Sequence, residues 1–185
     1  MSEPKVKSNA PWILGIVGIF LTILHYACAV ICSAAVGDAT EFSEKVKSTP
    51  ANIALAAGEV ATTVGEVAAR ASGHDGAASD MDDLTKTMEN RRHANTKSAE
   101  SKGKETFNVA LKIANTSALI MLGCFVLSFF GKSGISGITG FLLIIGGIAG
   151  AILSIVHLSI AGIAAGIVYM CSGISSICNR KKIKG

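Results

Sequence analysis

Between Lys132 and Arg180 the chain runs for 47 residues without a formal charge. A straight helix of that length would measure about 65–70 Å at 1.5 Å per residue. The hydrocarbon core of a bilayer is roughly 30 Å thick and takes about 20 helical residues to cross. The run is therefore read as two spans, 134–153 and 158–178, joined as a tight hairpin. The midpoint is the weak place in this reading. Ser154, His157 and Ser159 are the polar residues there, and neither glycine nor proline lies between Gly150 and Gly162. A hairpin in lipid must satisfy its freed backbone groups with water or with those side chains. The competing reading is one long or bent helix.

Two further blocks have the same character. No charge falls between Lys7 and Asp38, or between Lys112 and Lys132. Each fits a single span, at 11–37 and 106–131. The first exceeds the roughly 7–15 apolar residues of a signal peptide and is read as an uncleaved anchor. The expected fold is all-α: a polytopic membrane protein with four transmembrane helices. An extramembrane helical hairpin occupies 38–105, between spans one and two, with basic tails at 1–10 and 179–185.

The net charge of +4 conceals a partition. Segment 38–105 holds 12 acidic and 9 basic residues, whereas Lys5, Lys7, Lys132, Arg180, Lys181, Lys182 and Lys184 flank the spans. Arg180, Lys181, Lys182 and Lys184 form the expected membrane-surface cluster, because cations hold span ends at an anionic lipid face. Four spans put both tails on one side, which positive-inside counting makes cytoplasmic. The loop has no Asn-x-Ser/Thr acceptor, which favours a bacterial inner membrane. The basic residues are few and flank spans, so no nucleic-acid partner is expected. All five cysteines lie in or at the edge of apolar blocks, so no disulfide framework is expected.

Within 38–105, Ser48-Thr49-Pro50 reads as a helix start, a hydroxyl cap followed by proline. Ile53, Ala57, Val60, Val64, Val67 and Ala71 then recur at spacings of 4 and 3, a heptad seam of modest side chains. Two readings fit: an amphipathic helix packing on its own neighbour, or a contact between identical subunits. Ser72 to Gly76 reads as a turn. A second helix is expected from Ser79-Asp80, with Asp82 and Asp83 in its first turn. Asp82–Lys86 and Glu100–Lys104 are favourable i,i+4 pairs, and Gly103 is read as a break before the membrane. The acidic cluster lacks the ligand spacing of a calcium loop.

In the spans, Gly146/Gly150 and Gly162/Gly166 form GxxxG pairs, the expected helix-packing residues, within one chain or between subunits. His25 and His157 suggest haem ligation, and Cys28 and Cys32 beside His25 a soft metal. The four-span layout separates the two histidines by an estimated 10 Å or more in depth, so His25 is read as a helix-contact residue and His157 as water-facing. No cofactor, metal or catalytic residue is expected. No nucleophile–base pair, zinc spacing or acidic intramembrane residue is present in the sequence. The leading reading is a non-enzymatic membrane protein. Its partners are the lipid bilayer and, as a homo-oligomer or subunit of a larger membrane complex, other proteins met through the helical loop. The alternative is a small channel or pore lined by Ser154, Ser159, Asn115 and Thr116.

Overall fold

The computed structural model describes residues 8–133 and 135–183. The chain is all-helical, with no strand among the described residues. Helix α1 spans Ala10–Ala71, α2 Asp75–Ser128, α3 Ser136–Ile155 and α4 Ile160–Ile183; a single 3-10 turn, Phe129–Lys132, follows α2. Four helices are long and apolar enough to cross a membrane. The chain divides into two compact units, one of residues 1–34 with 108–185 and one of residues 35–107.

In the first unit the four helices neighbour one another in a ring. A methyl group placed on Gly15 or Gly18 of α1 would strike Ser128 of α2 and Tyr169 of α4, the latter at 2.6 Å. On α3, the same addition at Gly150 would meet Met121 of α2 at 2.9 Å. Helices α3 and α4 lie antiparallel with their backbones in contact. A methyl on Gly147 would sit 2.6 Å from the Gly166 carbonyl oxygen, and one on Gly166 would sit 2.5 Å from that of Gly147. Gly140 and Gly173 repeat this reciprocal approach at 2.6 and 2.5 Å. Small residues permit such closeness, so dispersion accumulates along the contact.

Polarity in this unit is inverted relative to a protein in water. Thr22, His25, Ser33, Ser117, Ser128, Ser136, Thr139, Ser154, Ser172, Ser176 and Asn179 are all buried, while Phe20, Ile31, Leu119, Ile138, Phe141 and Ile145 face outward. Several buried hydroxyls bond a carbonyl one turn back on their own helix, Thr22 while also lying 3.4 Å from the Tyr169 hydroxyl of α4. Thr22 donates to Gly18 O at 2.8 Å and Ser33 to Ala29 O at 2.7 Å.

The second unit is an antiparallel pair formed by the C-terminal part of α1 and the N-terminal part of α2. Pro50 lies inside α1 and does not start a helix. Ser48 and Thr49 are not caps, because both hydroxyls donate back to Lys45 O, at 3.0 and 2.8 Å. Proline and a hydroxyl read as a start only where no helix precedes them, and here the apolar block upstream already propagates one. The second helix starts at Asp75, not near Asp80, so Asp82 and Asp83 lie beyond its first turn. Gly103 does not break it: it is buried against Gly37, and a methyl there would lie 3.0 Å from the Gly37 carbonyl oxygen. Asp82–Lys86 pairs at 2.6 Å; no Glu100–Lys104 pair is present among the described residues.

Candidate functional site: a buried histidine cluster and an outward seam

Two groupings stand out, one in each unit. The first centres on His25, fully buried on α1. Its Nδ1 lies 2.8 Å from Ser159 Oγ, and its Nε2 lies 3.1 Å from Ser117 Oγ and 3.4 Å from Ser154 Oγ. Ser154 donates to Gly150 O at 2.7 Å, and Ser159 Oγ accepts the Gly162 N–H at 3.2 Å. The Ser159 hydroxyl keeps both its O–H and a second lone pair for Nδ1, so either ring tautomer satisfies these contacts. One side chain links all four helices or their junctions.

His157 sits against this cluster, its ring centroid 6.4 Å from that of His25 in an edge-to-face arrangement. The estimated depth difference of 10 Å or more is therefore incorrect. So is the water-facing role, since His157 is only 7% exposed and its Nε2–H donates to Ala110 O at 3.0 Å. Nδ1 of His157 is buried and has no hydrogen-bond partner among the described residues. The depth estimate fails because it puts the α3–α4 junction at the end of the apolar blocks. That junction in fact lies beside His25, inside the first block, and beside Ala110, just before Lys112.

The junction itself, 156–159, ends α3 with a left-handed residue. Leu158 has φ +49°. Its N–H donates to Ile155 O at 2.9 Å, and the Ser159 N–H donates to Ser154 O at 3.1 Å. These are the two bonds of a Schellman cap, which glycine normally accommodates. The same cap closes α1, where Gly73 (φ +78°) takes the left-handed place and His74 N–H donates to Ala69 O at 2.9 Å.

At the opposite end of the first unit, Asn179 is buried. Its Nδ2 donates to Ser8 O at 3.1 Å and Gly131 O at 3.2 Å, and its Oδ1 accepts the Ser8 N–H at 3.1 Å. Charge patterning alone groups this residue with the basic tail. The signal for its burial is in Ser172, Ser176 and Asn179, which recur at 4 and 3 and so share one face of α4.

The expected packing glycines all find their contacts within one chain. Gly146 meets Cys124, Gly150 meets Met121, Gly162 meets Ser154 and His25, and Gly166 meets Gly147 and Ala151. The backbone-to-backbone approaches use glycines seven apart, Gly140/Gly147 and Gly166/Gly173, so of the expected four only Gly166 belongs to that set. Cys124 is buried, whereas Cys28, Cys171 and Cys178 face outward. Among the described residues no group of three His, Cys, Asp or Glu converges on a metal position. Of the expected pore-lining set, Ser154 and Ser159 are in the core while Asn115 and Thr116 face outward, so one chain does not bring the four together.

The second grouping is the seam. Ile53, Ala57, Val60, Val64, Val67 and Ala71 are all exposed, four of them by 63–65%. They do not pack on α2, which corrects the reading of an amphipathic helix covered by its own neighbour. The covered face lies opposite. Gly58 receives Met88 and Gly65 receives Met81, Thr62 Oγ1 bonds Thr85 Oγ1 at 2.6 Å, and Asn52 Oδ1 accepts Asn95 Nδ2 at 2.9 Å. Glu59 meets Arg92 at 3.4 Å. A search for apolar periodicity finds the outward stripe because the inward face is built of glycine and polar pairs. Glu44 accepts from Lys102 and Lys47, at 2.6 and 2.8 Å, and the two bonds, Lys102's first, lower its carboxyl pKa to about 2.

Arg180, Lys181 and Lys182 continue α4, with side chains outside the described residues, and Lys184 lies outside them altogether. No family model, curated protein or solved structure matches this chain.

Proposed function

We propose that the chain is a non-enzymatic integral membrane protein, a structural or assembly subunit of a membrane complex that meets other proteins through its polar helical segment. The inverted first unit supports insertion. Outward Phe20, Ile31, Leu119 and Phe141 suit acyl chains, while each buried hydroxyl needs a partner that lipid cannot offer. Four spans, with α3 and α4 as a hairpin, put both tails on one side of the membrane. Positive-inside counting makes that side the cytoplasm, and a bacterial inner membrane fits the loop without glycosylation acceptors.

The observation that carries protein contact is the outward seam. In segment 38–105, otherwise dense in charge, it presents an apolar stripe to the surroundings. Exposed contiguous apolar surface marks interaction sites. The His25 cluster is suited to holding helices rather than to chemistry. Ser159 is already engaged with Gly162 N–H, and no carboxylate is among the partners of the ring.

The test is the mass of the chain extracted from its native membrane in lipid nanodiscs. A particle holding more protein than one 19.0 kDa chain is expected. A lone chain, with cysteines placed at Gly76 and Gly185 both labelled from the same face, would overturn the assembly role and the topology together.

A further inference from the structure

The seam lacks a partner in this chain, and we infer that its occupant is the seam of a second copy. This rests on the assembly reading and names its partner. Three observations point there. The stripe follows a seven-residue repeat, with Val46, Ile53, Val60 and Val67 in one series and Ala57, Val64 and Ala71 in the other. A straight helix drifts about 20° per heptad from such a repeat, so a stripe that holds it from Val46 to Ala71 matches a helix wound against it, not a flat surface. The chain itself supplies a helix with the same repeat.

The second observation is charge. Isologous pairing sets a patch against itself, residue i against residue j, so a patch carrying charge of one sign repels its own copy. From Ser48 to Ala69, α1 carries charge only at Glu59 and Glu66. Both are half-buried, Glu59 facing Arg92 of α2 and Glu66 bonded to Arg70. The stripe is uncharged over that length and can self-pair without repulsion.

Area is the third. A valine or isoleucine about two-thirds exposed offers roughly 60–80 Å². Val46, Ile53, Val60, Val64 and Val67, with the intervening alanines and Phe42 (70% exposed), therefore contribute about 500 Å² per copy. A pair buries about 1,000 Å², the lower bound of a specific interface. Free hairpins would pair weakly, whereas copies confined to one bilayer gain the effective concentration that such an interface requires.

The experiment uses the full chain in phosphatidylcholine–phosphatidylglycerol vesicles with a membrane-impermeant bis-maleimide and the wild type as background. Val60→Cys, at the centre of the stripe, is expected to give a covalent dimer in at least tenfold excess over wild type. Adding Val60→Lys and Val67→Lys to an Ile53→Cys chain is expected to cut dimer yield at least tenfold with helix content unchanged, because both valines are more than 60% exposed. Crosslinking of Val60→Cys at the wild-type level, or an Ile53→Cys dimer indifferent to the lysines, overturns the inference. Capture of a different protein by Val60→Cys in the native membrane overturns it too but leaves the assembly reading standing. A chain that is alone in its native membrane sinks both.

Discussion

Both units pack helices through glycine, and one set of sites in each shows what can stand against it; the second unit also has a backbone approach, Gly37 with Gly103, and the first a methionine contact, Gly150 with Met121. In the first unit Gly147 and Gly166 each face the carbonyl oxygen of the other, and Gly140 and Gly173 do the same. In the second, Gly58 and Gly65 face the sulfur of Met88 and Met81, which a methyl on either glycine would meet at 2.6 and 2.7 Å. A carbonyl in a helix cannot retreat without moving the helix, whereas methionine has three soft torsions. One contact is therefore rigid and the other adjustable. The rigid one suits an environment where close dispersion replaces the hydrophobic effect; the adjustable one sits in a segment held together by hydroxyl, amide and ion pairs.

The largest effect follows from this difference. Gly166→Leu forces α3 and α4 apart and is expected to cost about 3 kcal/mol or more, read as loss of the folded fraction on titrating the detergent-solubilised chain with a denaturing detergent. Gly65→Ala should stay within about 1 kcal/mol of wild type, because the gain in helix propensity offsets the shift of Met81. Equal losses at the two sites would erase the distinction.

Next in size is His25→Leu. It removes the bonds to Ser159 and Ser117 and leaves those hydroxyls inside the bundle, at about 2 kcal/mol. No comparable loss is expected for Asn95→Ala, whose bond to Asn52 lies where water can replace it, and the same titration compares them.

The two Schellman turns sharpen the contrast further. Leu158→Gly relieves a left-handed leucine and is expected to stabilise by about 1 kcal/mol, whereas Gly73→Leu loses about as much. A neutral Leu158→Gly would mean that the outward-facing leucine, 86% exposed, contributes through its surroundings what it costs in the backbone.

The smallest effect is electrostatic and confined to the second unit. The carboxyl of Glu44 falls from 4.5 to about 2. A depressed carboxyl stabilises above its unfolded value and loses that contribution as pH falls toward 2. Acid should therefore release Lys102 and Lys47 across that window, followed by the Glu44 side-chain carboxyl shift in NMR, while the first unit does not respond there.

Several features are legible because they depend on residue type alone. The uncharged blocks mark the four apolar helices, and Asp82–Lys86 pairs as spacing predicts. Other features are not. The helix starting at Ala10 runs through Pro50 because a helix already formed can absorb one missing donor, which no local signal discloses. The polar face of α4, ending in Asn179, is readable as Ser172, Ser176 and Asn179 at helical spacing, but charge patterning is blind to it.

The separation of apolar from charged stretches belongs to the amino-acid sequence, since transfer free energy is a property of each side chain and sums along the chain. Which glycines touch backbone, that two histidines meet at 6.4 Å, and that the regular apolar stripe faces outward were decided by tertiary structure. Those outcomes depend on how one helix is rotated and shifted against another. A periodic stripe fixes which residues share a face but leaves open which face is covered.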